Sequence, residues 1–595
     1  MNRGPLWKGI FDVKHRKCLL ACLSLAVVGL TAHAAGHPFV PVTDAMLKHP
    51  DPADWLMWRR TYDSWGYSPL DQIDRRNVAK LTLAWSVDLA PGPSQEGIPL
   101  VHDGIMYFPE PMDVIRAMDA ATGRTLWRYE RPLPADVGKF VPFPQTNRNL
   151  AIYGNLIIDN GSDDTVYAVD ATSGKLVWET KILDYHVHPA KQGSAPLVVD
   201  GELISGRNCM PQGGPDACVI TAHDARTGKE LWRKHTIPKP GEPGGDSWGD
   251  IPYEQRWHVG AWMIPSYDPD LDLVYMGTSV TAPAPKFMLA GSDKKYLYHN
   301  STLALVPATG ETKWYYQYDV DEWDMDHPYE RLLIDTAVAP NASEVPWINP
   351  RLKPGERRKV VTGIPGKTGI VYTLDRATGE FLWARPTVRQ NVVTKIDGAT
   401  GAVTMNPETI FTAADQTVFV CPTSDGGKNW PAGAYSPRTK TMYFPLQNTC
   451  MNSKSIATVP KPELIYAINN QTMIAPGTED VGTVQAIAVE SGKTVWKHDQ
   501  RAGVTGLLAT GGDLIFGGDV GGKFRALDAE TGKVLWETSL GSQVTGHPVT
   551  FAVNGKQYVA ISTGRSNLTG GLARLTPDVA PDDNRNQLFV FALSN

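Results

Sequence analysis

An acidic segment with one histidine is the densest group of chemically useful side chains in this sequence. It reads Asp321-Glu322-Trp323-Asp324-Met325-Asp326-His327. Carboxylates can hold a hard cation, and a positioned carboxylate can act as a general base. A solvated acidic loop is the other interpretation of the same pattern, and the residues alone leave both open.

Two further residues have side chains suited to a ligand site. Lys367, in Gly366-Lys367-Thr368-Gly369, precedes an apolar stretch and could reach the centre of the molecule, although a lone lysine is usually a surface residue. Trp262 could form the flat floor of a site for a planar ligand. Core packing explains this tryptophan equally well.

A repeated element must position these residues. A small residue, x, Asp, two residues, Thr or Ser, Gly, and a Trp ten positions after the start recur in seven copies, which end at Trp127, Trp178, Trp232, Trp314, Trp383, Trp496 and Trp536. Val306 and Ala488 replace the Asp in two copies. The alternating apolar residues predict two strands joined by a turn with a left-handed Gly. Because no unit can bury its apolar face alone, the units must stack in an array.

The array predicts an all-β fold, an eight-bladed β-propeller with Trp docking motifs and long loop insertions on one face. The segment from Leu81 to Trp85 is an eighth, partial copy, and the strand at residues 587–593 is predicted to close the ring against it. The insertions follow Trp232, Trp314 and Trp383, and loops of this kind carry functional sites. No linker interrupts residues 35–595, which are predicted to form a single domain.

The N-terminus predicts export. Basic residues precede an apolar run from Leu19 to Leu30 that is too short to span a bilayer, and Ala32-His33-Ala34 follows as a cleavage site. Residues 1–34 are therefore predicted to be a signal peptide that is cleaved near Ala34 or Ala35. Leu19-Leu20-Ala21-Cys22 resembles a lipoprotein box but lies at the start of the apolar run. The mature protein is expected in the periplasm, without stable membrane insertion.

The net charge and the cysteine content bear on nucleic-acid binding, disulfide pairing and haem attachment. The net charge of -6 over 595 residues gives no reason to expect nucleic-acid binding. The mature chain keeps four cysteines, an even number in an oxidising compartment, which predicts the disulfides Cys209–Cys218 and Cys421–Cys450. No Cys-x-x-Cys-His motif is present to attach a c-type haem.

The repeats and these residues, taken in order, resemble the quinoprotein alcohol dehydrogenases, the pyrroloquinoline quinone (PQQ) family that includes methanol dehydrogenase. The resemblance covers essentially the whole mature chain. Within the family, the closer likeness is to the sorbose/sorbosone-type dehydrogenases. That likeness is carried by Cys209 to Cys218 with His223-Asp224, by residues 237–242, by Trp430-Pro431, and by residues 445–450.

The resemblance implies a role for each cofactor-binding candidate. Glu96 matches the acid that hydrogen-bonds the cofactor. Arg148 matches the arginine that holds a cofactor carboxylate, for which its rigid donor fork is suited. Trp262 matches the indole on which the quinone stacks, Lys367 the cation beside the quinone oxygens, and Asn429 the amide that contacts the same ring.

The resemblance also implies a catalytic base and a metal. Asp324 matches the base and a metal ligand, and Asp326 is a second candidate ligand. The expected cation is Ca²⁺, with a lanthanide as the alternative, because in this family an extra Asp at the position of Asp326 is associated with lanthanide use. Cys421–Cys450 matches a family disulfide.

The function implied is that of a PQQ-dependent oxidoreductase. It would oxidise a primary or secondary hydroxyl of an alcohol, sugar or polyol to an aldehyde or ketone and pass electrons to a separate periplasmic cytochrome c. One alternative is oxidation of a secondary hydroxyl on a bulky molecule such as the mycotoxin deoxynivalenol. Another is a non-enzymatic propeller scaffold of outer-membrane assembly, which would need neither a buried Arg nor a central Lys and Asp.

The sequence departs from the family pattern at four places. Pro142-Phe143 replaces an adjacent cysteine pair, so Phe143 or the Cys209–Cys218 loop is expected to cover the second quinone face. Pro211 and Val280 align with two metal ligands, and Asn208, Gln212 or Asp326 are candidate substitutes. The Trp of a late Gly-Trp-Gly-Gly motif is absent, with Arg565-Ser566 in that region.

Overall fold

Each sequence repeat folds into the last two strands of an antiparallel sheet. The computed structural model describes residues 38–594, so the predicted signal peptide lies outside the described residues. In this part of the chain the three α-helices are short: Asp44–Lys48, Val137–Phe140 and Asn567–Leu575. The predicted all-β class is confirmed.

Eight sheets within residues 38–594 have four or five strands. Sheet 1 contains Leu100–His102, Ile105–Glu110, Val114–Asp119 and Thr125–Glu130. Sheet 2 contains Ala151–Tyr153, Leu156–Asn160, Thr165–Asp170 and Leu176–Lys181. Sheet 3 contains Leu197–Val199, Glu202–Ser205, Val219–Asp224 and Glu230–His235. Sheet 4 contains Ser266–Asp268, Leu273–Gly277, Ser301–Leu305 and Thr312–Gln317.

The next three sheets follow in chain order. Sheet 5 contains Leu332–Val338, Glu356–Gly363, Ile370–Asp375, Phe381–Pro386 and the edge strand Trp347–Ile348. Sheet 6 contains Ala434–Ser436, Thr441–Gln447, Gly482–Ala488 and Thr494–Gln500. Sheet 7 contains Val504–Thr510, Leu514–Asp519, Lys523–Asp528 and Val534–Ser539, with Tyr67–Ser68 added in parallel at its inner edge.

Sheet 8 joins the two ends of the described chain. Leu81–Asp88 pairs antiparallel with Gln587–Leu593, and the sheet continues with Lys556–Thr563 and Val549–Val553. The predicted pairing of the partial first repeat with the last strand is therefore confirmed. Three smaller sheets contain Ala190–Lys191 with Asn208–Cys209, Val393–Ile396 with Val403–Met405, and Thr417–Val420 with Thr449–Ser455 and Ile468–Ile474.

The repeat turn is held by its aspartate. In sheet 3, Oδ1 of Asp224 accepts the backbone N–H of Thr227 at 2.8 Å and the Thr227 hydroxyl at 2.7 Å. Gly228 then takes a φ of 72°. This side chain satisfies the turn's backbone donor, which explains why Asp, Thr and Gly recur at a fixed spacing.

The tryptophan of each repeat contacts the next sheet. The ring of Trp127 lies against Gly174, where an added Cβ would come within 2.5 Å of the indole. Glycine is therefore required at this turn both for its φ of 67° and for the close approach. The same contact joins Trp85 to Gly123, Trp178 to Gly228, Trp232 to Gly310, Trp314 to Gly379, Trp383 to Gly492 and Trp496 to Gly532.

The structure contains both predicted disulfides, Cys209–Cys218 and Cys421–Cys450. All four cysteines are fully buried. Among the described residues, no helix combines the length and apolar character needed to cross a bilayer. The 3₁₀-helices are Val78–Lys80, Pro211–Gly213, Pro215–Ala217, Gly245–Trp248, Tyr253–Gln255, Lys286–Met288 and Pro407–Thr409.

Candidate functional site

One cavity of about 290 Å³ brings the sequence-predicted site residues together. Its lining includes Glu96, Arg148, Trp262, Asp324, Asp326, Lys367 and Asn429. Trp262 lies in the insertion after sheet 3, Asp324 in that after sheet 4, and Asn429 in that after sheet 5. The three insertions thus converge on one site, as the sequence predicts.

A buried aspartate shapes the acidic turn. Oδ2 of Asp321 accepts the backbone N–H of Asp324 at 2.8 Å, and its Oδ1 accepts that of Met325 at 2.6 Å. Trp323 is fully buried and donates its indole N–H to Thr409 O at 2.9 Å. These bonds hold Asp324 at a φ of 73°, a conformation that costs a non-glycine residue free energy. Because Asp321 and Glu322 are fully buried, the solvated-loop interpretation is wrong.

Lys367 lies between two carboxylates of this turn. Its ammonium nitrogen is 3.1 Å from Oδ1 of Asp324 and 3.2 Å from Oδ2 of Asp326, and it donates to the backbone oxygen of Asp324 at 2.8 Å. Burial raises the pKa of Asp324 well above its ordinary range, while the Lys367 ammonium opposes that rise. Burial therefore favours the protonated carboxyl of Asp324, and the adjacent ammonium favours the carboxylate that could accept a proton.

A second charged pair lies between two indoles. Nε of Arg148 is 2.8 Å from Oε2 of Glu96. The guanidinium carbon is 5.3 Å from the ring centroid of Trp262 and 5.1 Å from that of Trp430, both within cation–π range. A planar cation and aromatic faces on one wall suit a flat, negatively charged ligand.

The Asn429 amide is oriented by three hydrogen bonds. Its Oδ1 accepts the Tyr329 hydroxyl at 3.0 Å and the Trp430 N–H at 2.7 Å. Its Nδ2 donates to the backbone oxygen of Asp425 at 2.9 Å. One N–H of the amide is left over from this set, so the side chain can still donate to a ligand in the cavity.

Phe143 occupies the wall where the family has a cysteine pair. It lines the cavity, is 54% exposed, and has a φ of 51°. The ammonium of Lys191 donates to the backbone oxygen of Phe143 and so ties this loop to the wall. Among the described residues that line the cavity, Phe143 is present whereas Cys209 and Cys218 are not. Of the two covers expected for the second ligand face, only the phenylalanine lies at the cavity.

Only some of the candidate metal ligands lie at the cavity. Asp326 lies beside the aligned position Val280, whose backbone N–H donates to Oδ1 of Asp326 at 3.4 Å. Asn208 lines the cavity, but Gln212 is exposed and does not. Within residues 38–594, no group of three or more His, Cys, Asp or Glu side chains is placed to hold a metal ion.

The lining residues that were not predicted include three that can ionise, Lys191, His258 and Tyr466. Lys191 is 6% exposed, and burial lowers its pKa to about 7. His258 lies four residues before Trp262 in the same insertion, which is the only sequence signal that pointed to it. Nothing in the sequence near Lys191 or Tyr466 distinguished them from surface residues.

A known family model matches most of the chain. The model of the PQQ "Glucose/ethanol/alcohol dehydrogenase, beta-propeller domain" matches residues 55–404 and 463–559. These ranges include most of the residues that line the cavity, but leave out Asn429.

Individual relatives resemble the chain over nearly its full length. The dehydrogenase subunit of a quinone-dependent alcohol dehydrogenase from Komagataeibacter europaeus is 31% identical over 612 residues, which span 96% of this chain and 80% of the relative. A 1-butanol dehydrogenase (cytochrome c) from Thauera butanivorans is 30% identical over 628 residues, which span 99% and 82%. The solved structure of a europium-containing methanol dehydrogenase has a TM-score of 0.82 at 27% identity and covers 92% of this chain and 99% of that protein.

Proposed function

This chain belongs to the family of PQQ-dependent alcohol dehydrogenases, and from that premise we propose that its cavity binds PQQ and that Asp324 takes the proton of a substrate hydroxyl. The observation that carries the proposal is the meeting of Glu96, Arg148, Trp262, Asp324, Lys367 and Asn429 in one cavity. Family membership makes the chain an enzyme, so the scaffold interpretation is set aside. The closer likeness to sorbose-type dehydrogenases stays a prediction.

The donor set fits the cofactor. PQQ is a planar ortho-quinone with three carboxylates. Trp262 offers an aromatic face for its ring system, and Phe143 lies at the same cavity as a candidate cover for the other face. Arg148, which is partly buried, and Lys191, which is buried, lie in the wall, where they can pair with carboxylates. Lys367 and Asn429 offer N–H donors to the quinone oxygens.

When bound, PQQ supplies the two-electron acceptor for the alcohol. The protein's part is to hold the substrate and move its hydroxyl proton. Asp324 must be ionised to take that proton, and the ammonium of Lys367 at 3.1 Å favours the ionised form. Asp321 fixes the turn so that the carboxylate of Asp324 faces the cavity, and its hydrogen bonds therefore set the position of the base.

Ca²⁺ is the proposed metal, with Asp324 and Asp326 as its protein ligands. Carboxylate oxygens suit a hard cation, but two residues do not fill a shell of six or more ligands, so bound PQQ would complete it. A lanthanide is the alternative, because a trivalent ion benefits from the second carboxylate of Asp326. The likeness to a europium-containing methanol dehydrogenase supports keeping this alternative.

The wider assignments rest on the same premise. We propose that sheets 1 to 8 are the blades of one propeller domain, residues 35–595, with each repeat Trp docked on the following blade. The predicted signal peptide supports a periplasmic location and a separate cytochrome c as electron acceptor, and the cytochrome-linked 1-butanol dehydrogenase relative supports that acceptor. The substrate is an alcohol, and both a sugar or polyol and a bulky secondary alcohol such as deoxynivalenol remain open at this level.

Cofactor titration tests the proposal. The purified protein with Ca²⁺ should bind one PQQ and then oxidise alcohols with a dye as acceptor. Arg148→Ala should weaken PQQ binding roughly 10- to 100-fold, because a carboxylate loses a charged hydrogen-bonding partner. Arg233→Ala, on the outer strand of sheet 3, is the matched control and should bind like the parent. Asp324→Asn should bind PQQ but lose turnover. A protein that binds no PQQ with either Ca²⁺ or a lanthanide would refute the assignment.

A further inference from the structure

Two side chains of the cavity, His258 and Tyr466, take no part in the function proposed above. Backbone bonds hold them next to each other. Trp257 and Ala282 form an antiparallel bridge, and the N–H of Ala284 donates to the carbonyl of Ile465 at 3.0 Å. Residues 282–284 therefore position both His258, which follows Trp257, and Tyr466, which follows Ile465.

The proton of His258 is located by its neighbours. Its Nδ1 lies against the backbone carbonyl of Cys209, which can only accept, so Nδ1 carries the hydrogen. Burial lowers the pKa of His258 and keeps the ring neutral. Nε2 is then a lone-pair acceptor. It faces the hydroxyl of Tyr466 at 3.4 Å, and the two rings meet edge to face with centroids 6.1 Å apart.

This arrangement determines that the Tyr466 hydroxyl donates to His258 rather than accepts from it. A tyrosine phenol keeps its proton at neutral pH. The proton is directed to Nε2 of His258, and the phenol oxygen is left as an acceptor. Tyr466 is 37% exposed and lines the cavity together with Asp324. The phenol oxygen can therefore accept a hydrogen bond from a substrate that lies in the same cavity as the proposed base.

We propose that Tyr466 is a specificity-determining residue that accepts a hydrogen bond from a second hydroxyl of the substrate, with His258 as its positioning residue. The proposal rests on the function proposed above and narrows its substrate class to polyhydric alcohols. One hydroxyl gives its proton to Asp324, and another donates to Tyr466. A monohydric alcohol of the same carbon skeleton cannot make this hydrogen bond, so the site discriminates against a substrate that lacks the second hydroxyl.

The test compares 1,2-propanediol with 1-propanol, which differ only in the second hydroxyl. The ratio of their kcat/KM values is measured for the PQQ- and Ca²⁺-loaded parent, for Tyr466→Phe, for His258→Asn and for the double variant. Asparagine is chosen because it tolerates the φ of 68° at residue 258 better than most side chains. Tyr315→Phe, a tyrosine exposed on the outer strand of sheet 4 and outside the cavity, is the matched control.

We expect the parent to prefer the diol and Tyr466→Phe to lower the ratio about tenfold through the diol alone. His258→Asn should lower the ratio in part, and the double variant should be no worse than Tyr466→Phe, because the two residues act as one unit. Binding of 1,2-propanediol to the PQQ-loaded Asp324→Asn protein, measured calorimetrically, should weaken to the same extent when Tyr466→Phe is added. Tyr315→Phe should leave the ratio unchanged.

PQQ titration of every variant distinguishes a failure of the proposed role of Tyr466 from a failure of the PQQ-dependent function on which it rests. An unchanged ratio in Tyr466→Phe, an equal loss for both alcohols, or a parent that prefers 1-propanol would overturn the role of Tyr466, while the PQQ-dependent dehydrogenase stands if PQQ binds and either alcohol turns over. A parent that binds no PQQ would overturn both.

Discussion

Lys191 has a neutral hydrogen-bond partner, unlike Arg148 and Lys367, which also line the cavity and lie beside carboxylates. The guanidinium of Arg148 lies 2.8 Å from Glu96, and the ammonium of Lys367 lies 3.1 Å from Asp324. Lys191 instead donates to a neutral partner, the backbone carbonyl of Phe143. Burial against a neutral partner destabilises the ammonium form, which is why the pKa of Lys191 is lowered to about 7. A carboxylate that enters the cavity would restore the missing negative charge.

We therefore expect PQQ affinity to fall as the pH rises above about 7. Below pH 7 Lys191 is already protonated in the free protein, whereas above it binding of an anion must be accompanied by proton uptake, which costs up to about tenfold in affinity per pH unit. PQQ titrations from pH 6 to 9 measure this slope. Lys191→Met should bind more weakly at pH 6 and lose the slope. A slope that persists in Lys191→Met would assign it to another group.

Asp326 is expected to affect the metal more than the cofactor. In metal-stripped, PQQ-loaded protein, Asp326→Ala should raise the Ca²⁺ concentration for half-maximal activity roughly 10- to 100-fold, because a hard cation loses an anionic ligand. Asp425→Asn is the matched control, since Asp425 lines the same cavity without a proposed metal role. If the Ca²⁺ dependence of Asp326→Ala equals that of the parent, Asp326 is not a ligand. The same series with lanthanum separates the two metals.

The cavity residues that could be predicted from the sequence are those with a local motif or a match to a family pattern. Asp324 stands in a dense acidic segment, and Arg148, Lys367 and Asn429 were assigned through a family resemblance. Lys191 and Tyr466 were missed because a single lysine or tyrosine outside the repeat pattern carries no spacing signal. Their place in the cavity depends on strand pairing and on contacts between insertions that are far apart in sequence.

At the scale of the element, a disulfide and a small sheet outside the repeats hold the insertion that follows sheet 5. The segment after sheet 5 is tied by Cys421–Cys450, which joins two parts of the chain 29 residues apart. Thr417–Val420 and Thr449–Ser455 pair beside this bridge, and the loop that follows Thr449–Ser455 carries Tyr466. The pairing of the cysteines could be predicted, but the three-stranded sheet could not, because its strands lack the repeat pattern.

Removal of this bridge should cost stability. The double variant Cys421→Ala/Cys450→Ala is expected to lower the free energy of unfolding by about 3 to 4 kcal/mol, because the unfolded chain regains the entropy of an open loop. Cys209→Ala/Cys218→Ala opens a shorter loop of 9 residues and should cost about 1 kcal/mol less. Chemical denaturation followed by tryptophan fluorescence measures both. Equal losses, or a larger loss for the shorter loop, would contradict the loop-length argument.

At the scale of the whole molecule, the repeats account for the fold and the insertions for the site. The seven copies predicted strands, turns and the contact of each Trp with its neighbour, because each copy uses the same local chemistry. The lengths of the insertions were visible in the sequence, but their paths were not, because nothing periodic constrains them. Sheets 7 and 8 are exceptions, since each includes a strand from the start of the described chain that pairs with a strand near its end.

A substitution that disrupts sheet 8 should lower the stability of all eight sheets rather than of sheet 8 alone. Val590, in the strand Gln587–Leu593, is fully buried, and Val590→Asp would place an unpaired charge in the core. We expect the entire thermal unfolding transition, followed by circular dichroism, to shift down by many degrees. Val495→Asp, on the outer strand of sheet 6 where the side chain is 49% exposed, should shift it little. A Val590→Asp protein that loses only a minor early transition would show that sheet 8 is not coupled to the rest.

The pairing of Leu81–Asp88 with Gln587–Leu593 also has a consequence for biosynthesis. One of the first strands of the mature chain to emerge must wait for one of the last before its sheet can form. Sheets 1 to 7 can assemble as they emerge, but an incomplete nascent chain keeps an unpaired edge strand at one end. Arrival of the C-terminal strand, rather than collapse of the first repeats, therefore times the final folding step. A truncated product would be left with an open edge that invites aggregation or proteolysis.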